Sequence, residues 1–331
     1  MSHDTLSVAV FGATGLLGEA TLSALGDADV ALAVHALGGV ARSPKVDSAQ
    51  LGTRTIPVYP ASRFPDLSFS VAVLCLPSKA AALIGPALVA RGVFVVDAGD
   101  AGGLAAPVWL PDAPLPDDAL RAGAVRLPSG AGALLARIAA PLAGAGLRGV
   151  SGTALLPAGR RGRAAVEELG QQVLASFTSQ DPPRAIFADG LAFDVLPETA
   201  DDDTGWSSDE IRAHAQASAL SGLPADAFAV TQLTVPTFAG AVASLHLHGV
   251  GVDTAKQALT GAAGLGAPGR PAALRPRACD EDALIRWGRL RDDGAGGCHV
   301  QLVADPLPLA GELVRQTMRR LAEAGIGRSR A

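Results

Sequence analysis

Three glycines at three-residue intervals follow a short apolar run in the segment LSVAVFGATGLLGEATLSA, residues 6–24. Few other features restrict a fold as tightly. Val8-Ala9-Val10-Phe11 reads as a buried strand, and the run after Gly18 reads as an amphipathic helix. Gly12 lets the chain turn sharply off the strand, Gly15 lets backbone approach a pyrophosphate, and Gly18 lets the helix lie close on the sheet. Ala13, Thr14, Leu16 and Leu17 complete the loop, with the Thr14 hydroxyl at a helix N-terminus that favours an anion. Gly12–Gly18 is therefore the candidate dinucleotide loop of a Rossmann-type βαβ unit. The competing reading is a strand-to-helix turn with no nucleotide.

The 331 residues are 49% hydrophobic, enough for two domains with their own cores. A net charge of -5 argues against nucleic acid as a partner. No basic segment with an apolar core opens the chain, and Arg137 and Pro141 interrupt the Ala/Gly-rich stretch at 130–147. Cys75, Cys279 and Cys298 have neither CxxC nor disulfide-framework spacing. The expectation is a cytoplasmic protein without membrane contact.

Strand-like runs at Val30–Ala36, Val71–Leu76 and Val93–Asp97 alternate with helical patterns such as Ala80–Arg91, which predicts a doubly wound parallel sheet. A helix leading into a strand is expected within Asp112–Arg126, and a helix over Ala131–Ala145. Beyond Leu147, longer strands appear at Val150–Leu155, Phe228–Val235, Ala243–Val250, Ile285–Arg291 and His299–Ala304. Helical runs at Arg163–Phe177, Ser208–Ala219 and Thr254–Ala263 separate them, and Leu309–Ala324 closes the chain. This half reads as α+β with a mainly antiparallel sheet, and Gly264–Pro276 as a surface loop.

The order of these elements, with GATGLLG at 12–18, RLPSGAGALLARIAAPL at 126–142, GRRGRAAVEEL at 159–169, LAFDVLPETADDDTGWSSDEIR at 191–212, LTVPTFAG at 233–240 and LVADPLPLAGEL at 302–313, resembles the aspartate-semialdehyde dehydrogenase family over nearly the whole chain. The resemblance implies a dinucleotide-binding domain at 1–129, a dimerisation domain at 130–304, and a C-terminal helix at 305–331 that returns to the first domain. It also implies a homodimer. The family's reaction uses a cysteine thiolate, a histidine acid–base, NADP, phosphate and two arginines that clamp the substrate.

Matched position by position, the chain looks like a degenerate paralogue. The cysteine position is Gly130, and the histidine position is Ala241. One clamp arginine falls at Thr234, the other within Asp100-Ala101-Gly102-Gly103, and the glutamine near the nucleophile at Thr153. Only the acid and base of the helix persist in kind, as Asp209 and Arg212. Arg42, Ser43 and Lys45 stand where the family meets the 2′-phosphate of NADP, and no acidic residue ends the second strand to hold a free ribose hydroxyl. The alternative for Arg42 and Lys45 is an ordinary solvated loop. Leu76-Pro77-Ser78-Lys79 and Pro308-Leu309-Ala310 replace the family's phrases at the nicotinamide end. The expectation is a catalytically inactive protein that binds NADP and acts on an unknown protein partner or by sensing nucleotide. The alternative is an active NADP-dependent semialdehyde oxidoreductase with a rearranged site.

For that alternative Cys75, ending the strand VAVLCL, is the candidate nucleophile; the other reading is a small core residue. His246 and His248 share one strand face and could bind a metal, or could face solvent or an interface, with no carboxylate or cysteine in view. Cys298-His299 and Cys279 carry less, and no metal is expected. Ser129 has no base beside it, Asp201-Asp202-Asp203 reads as a solvated loop, and Ser207 or Ser208 as a helix N-cap.

Overall fold

The computed structural model describes residues 5–38, 47–99, 104–128, 130–199, 203–279 and 283–327. The chain divides into two compact units, 1–129 with 310–331, and 130–309.

The first unit is a doubly wound α/β layer. Its elements are β1 (Leu6–Phe11), α1 (Leu16–Gly26), β2 (Leu32–Leu37), β3 (Ser48–Leu51), β4 (Arg54–Tyr59), β5 (Val71–Leu74), α2 (Ser78–Ala90), β6 (Phe94–Asp97), α3 (Asp117–Ala122) and β7 (Ala124–Arg126). Among the described residues the strands lie in the order β3-β4-β2-β1-β5-β6-β7. All neighbours run parallel except the β3–β4 hairpin. Val8–Phe11, Val71–Leu74 and Val95–Val96 are wholly buried, as strands covered on both faces require. The hairpin's apolar alternation is short, Ala49 and Leu51 on one arm and Ile56 and Val58 on the other, and these are the residues that turn inward. A tight turn at Gly52 (φ +57°) forms it, at the sheet's edge.

The second unit comprises α4 (Gly130–Ala143), β8 (Gly149–Pro157), α5 (Arg163–Thr178), β9 (Leu196–Pro197), α6 (Ser208–Ser221), β10 (Phe228–Val235), β11 (Ala241–His248), α7 (Val252–Leu259), β12 (Arg286–Asp292) and β13 (Cys298–Ala304). The sheet order is β12-β13-β11-β8-β10-β9, antiparallel throughout except for the β8–β10 pair. Leu134, Leu135, Ile138 and Leu142 of α4 join Val230, Leu245, Leu247 and Trp287 in its core. The Gly264–Pro276 stretch is more than a surface loop. Gly266 and Gly269 donate their N–H groups to Ile285 and Trp287 carbonyls at 2.9 and 2.7 Å, and Leu265 and Leu274 turn inward. Lying along an edge strand satisfies its backbone.

The last helix, α8 (Pro306–Glu323), buries Ala310, Leu313, Val314, Thr317, Met318 and Leu321, a helical stripe of three- and four-residue steps. From Ala310 onward it belongs to the first unit. There, Arg315 and Arg319 lie 3.7 and 3.5 Å from Asp29, and Arg320 Nε donates to the Pro111 carbonyl at 2.8 Å. No helix among the described residues is long and apolar enough to cross a membrane.

Candidate functional site

In the first unit the glycine loop sits at the carboxyl end of β1, where the chain order switches between β2 on one side and β5 on the other. Open α/β sheets bind ligands at such a switch. Each glycine has its own geometry. Gly12 has φ +79°, and a Cβ there would lie 2.2 Å from the Cys75 carbonyl oxygen. A Cβ on Gly18 would lie 2.1 Å from the Gly12 oxygen, so α1 presses directly on the loop. Gly15 is exposed, and its only near neighbour would be the Gly12 oxygen at 3.4 Å. It is the N-cap of α1, with φ -83° and ψ 165°, and no side chain caps that helix end. The loop is braced by Ala13 N–H to the Leu37 carbonyl (2.9 Å) and Gly15 N–H to Gly12 (3.0 Å). What remains is an uncapped helix N-terminus open at Gly15, flanked by half-buried Thr14, Leu16 and Leu17.

Cys75 lies beside this loop but is buried, with its Sγ 3.4 Å from the Thr21 hydroxyl. Burial pushes its thiol up to about 12, outweighing the Thr21 bond, and Asp97 adds to the rise. Near neutral pH the thiolate, the form a nucleophile needs, is strongly disfavoured there. Pro77, Ser78 and Lys79 are exposed at the start of α2, whereas Leu309 and Ala310 are buried in α8. Arg42, Ser43, Lys45, the Asp100–Gly103 loop, Ser129, Asp201 and Asp202 lie outside the described residues.

In the second unit, α4 starts at Gly130 with φ +51°, and a Cβ there would meet nothing within 4 Å. Ala241 is fully buried at the start of β11. The β10–β11 loop is clasped to the turn at Ala158–Arg161, where Ala158 N–H donates to the Thr237 carbonyl at 2.9 Å and a Cβ on Gly159 would lie 2.5 Å from the Phe238 oxygen. That turn sends Arg160 and Arg161 into an ion network. Arg160 pairs with Glu198 and, at 2.7 Å, with Asp209. Arg161 reaches the other Glu198 oxygen at 3.2 Å, and the Thr234 hydroxyl donates to Glu198 at 2.8 Å. Asp209 also pairs with Arg212. Burial acts to raise the Glu198 carboxyl, but the Arg160 charge and bond, Thr234 and Arg161 hold it below the ordinary range.

The helix carrying Asp209 and Arg212 is fixed by a capping box. Ser207 Oγ accepts from Glu210 N–H, and Glu210 returns a bond to Ser207 N–H at 2.9 Å while taking Gln232 N–H at 2.7 Å. The structure thus gathers Thr234, Asp209 and Arg212 around a carboxylate, Glu198, and two arginines for which the sequence reading had no role. Thr153 is elsewhere: it lies mid-strand on the outer sheet face, opposite Thr231 and Ser244. Asp203 is exposed in a turn.

The histidine pair needs a correction. A carboxylate does accompany it, because His246 Nε2 lies 2.7 Å from Asp293 Oδ2 across the β11–β13–β12 pairing. His299 stacks on His246 at 4.5 Å between ring centroids, and His248 lies at 4.1 Å. Among the described residues no group of three or more His, Cys, Asp or Glu is arranged to hold a metal ion.

No protein-family model and no curated protein matches this sequence. Solved structures do. Aspartate-semialdehyde dehydrogenase II from Vibrio cholerae superposes with a TM-score of 0.84 at 20% identity, over 96% of this chain and 99% of that one. A probable aspartate-semialdehyde dehydrogenase from Pseudomonas aeruginosa gives 0.81 at 23% identity, over 97% and 98%. The Candida albicans enzyme, solved with NADP, gives 0.65 at 16% identity, over 97% and 99%.

The fold is that of the aspartate-semialdehyde dehydrogenases. Sequence identity at this level carries the fold and not the chemistry, so activity must be argued from the side chains.

Proposed function

We propose that this chain is an aspartate-semialdehyde-dehydrogenase-like protein that does not run the dehydrogenase reaction, binds NADP, and acts as a homodimer in a regulatory or partner-binding role. The observation that carries the proposal is what stands at the two positions the family resemblance assigns to chemistry. Gly130 faces open space with no side chain, and Ala241 is a buried methyl group. Acyl transfer through a thioester needs a nucleophile and a proton carrier, and these positions offer neither. Glu198, Arg160 and Asp209 pair with one another instead.

The loop residues fit a dinucleotide. Gly15 leaves its outer side open, and the uncapped start of α1 presents backbone N–H groups to an anion. The backbone of Gly12–Gly18 would hold the pyrophosphate, and Arg42, Ser43 and Lys45 the 2′-phosphate. Bound NADP would supply a hydride acceptor. Its presence in the Candida albicans relative adds support.

Fluorescence titration with NADPH and NADH tests the binding half, with tighter NADPH binding expected. Incubation with aspartate semialdehyde, phosphate and NADP tests the other half, with no turnover expected. Turnover at an enzymatic rate overturns the proposal, and its loss in Cys75→Ala would establish the oxidoreductase alternative. The burial of Cys75 counts against that outcome.

A further inference from the structure

At the amino ends of β5, β6 and β7, the side of the first unit's sheet away from Gly12–Gly18, lies a cleft of about 490 Å³. Small-molecule sites run from about 300 to 1,000 Å³. Buried Val93 and Phe94 and half-buried Val89 and Ile326 line it, with Leu120, 49% exposed, beside them. All of these residues belong to the first unit. Among the described residues no Asp, Glu, Lys, Arg or His lines the cleft. Arg91, next to the lining residue Gly92, is laid over the Phe64 ring at 5.2 Å and donates to the Pro65 carbonyl.

The polar groups of the cleft are one-sided. The N–H groups of Ser70, Gly92, Phe94, Gly123 and Ile326 donate to carbonyls of the fold at 2.9–3.3 Å. The Ser70 hydroxyl donates to the Ser7 carbonyl at 3.1 Å, which leaves the lone pairs of its oxygen to accept. A Cβ on Gly327 would lie 2.6 Å from that oxygen, so a glycine at this position keeps the acceptor uncovered. A ligand's polar end must therefore donate. A carboxylate or phosphate would meet neither a cation nor an unengaged N–H among these groups, and would lose its hydration without compensation.

We propose that this cleft is a second ligand site, for an uncharged amphipathic molecule of the aliphatic-alcohol class. Its chain lies on Val89, Val93, Phe94 and Ile326, and its hydroxyl donates to Ser70 Oγ. The site goes beyond the NADP reading and does not depend on it, because nucleotides are held at the opposite ends of the strands.

Methyl NMR titration of the full chain with octanol tests this. Shifts should centre on Val89, Val93, Leu120 and Ile326 and saturate with a Kd at or below about 1 mM. Heptyl methyl ether, an isomer that fills similar space but cannot donate, should bind about threefold or more weakly. Octanoate should bind about tenfold or more weakly. Ser70→Ala should remove the difference between octanol and the ether, Val89→Trp should abolish binding, and saturating NADPH should leave octanol bound. Shifts scattered over the chain without saturation overturn the proposal, as does displacement by NADPH or an ether that binds as well as octanol. Should Val89→Trp misfold, the octanol and ether comparison on the wild type decides alone. Octanol binding by a chain that does not take up NADPH upholds this site and overturns the nucleotide reading instead.

Discussion

Gly15 and Gly18 are separated by one helical turn, yet the structure assigns them different duties, and this separates a nucleotide loop from a mere turn. At Gly15, φ is -83° and ψ 165°, values any residue adopts, and an added methyl meets one oxygen at 3.4 Å. Gly15→Ala should therefore fold. The gain from a stiffer unfolded chain, about 0.4–1 kcal/mol, roughly offsets the poorer N-cap. That methyl, however, projects from the surface a pyrophosphate would approach. Losing one charge-assisted hydrogen bond there costs about 1.5–3 kcal/mol, or roughly 10- to 150-fold in Kd for NADPH.

Gly18→Ala reverses the pattern. Its methyl would lie 2.1 Å from the Gly12 oxygen and 2.7 Å from Ala13 Cα, both backbone atoms that cannot rotate away. Overpacking of this kind costs about 1–3 kcal/mol or more, which lowers Tm by roughly 3–10 °C in a unit of this size. Thermal melts and NADPH titrations on both variants read the two effects apart. If Gly15→Ala binds NADPH as wild type does, the pyrophosphate does not lie on this loop, and the glycine spacing serves packing alone.

Other consequences can be checked as directly. Glu168 accepts from Ala185, Ile186 and Phe187 N–H at 2.8–2.9 Å, so Glu168→Ala should cost about 2–4 kcal/mol in urea unfolding, chiefly from the buried Phe187 amide; a loss under about 0.5 kcal/mol would contradict it. Gly130→Cys in a Cys279→Ser background should fold with about 1 kcal/mol of left-handed strain and react with maleimide far faster than buried Cys75 and Cys298, yet recover no aldehyde oxidation. Restored turnover would show that a base still serves the site. Glu198 is held below its ordinary value, so its ion pairing stabilises the fold above the free carboxylate range and is lost as pH falls through the folded value. The stability gap between wild type and Arg160→Gln should accordingly be widest near pH 7 and narrow as pH falls below the ordinary glutamate value of 4.5; a gap that does not narrow on acidification would refute the role given to that pair.

What the sequence disclosed follows from how far apart the interacting residues lie. The glycine turn, the parallel strands and the Ser207 cap are local, written in spacings of two to four residues, and each is legible from its own segment. The assignment of Gly130 and Ala241 rests on the phrases that flank them and not on any spacing of their own. The Arg160–Glu198 pair spans 38 residues and His246–Asp293 spans 47. Both depend on which strand lies beside which, and no periodicity carries that information.

The misreading of the histidines has the same origin. Asp293 stands in a hairpin between β12 and β13, and only the register that sets His299 against His246 and Arg291 brings it to the imidazole. Arg160 and Arg161 offered a weaker signal that was present and unread: adjacent arginines between Gly159 and Gly162, in a turn whose tight glycine approach leaves them one direction to point. The Arg160→Gln measurement therefore asks how much of the fold's stability rests on the Arg160, Glu198 and Asp209 network.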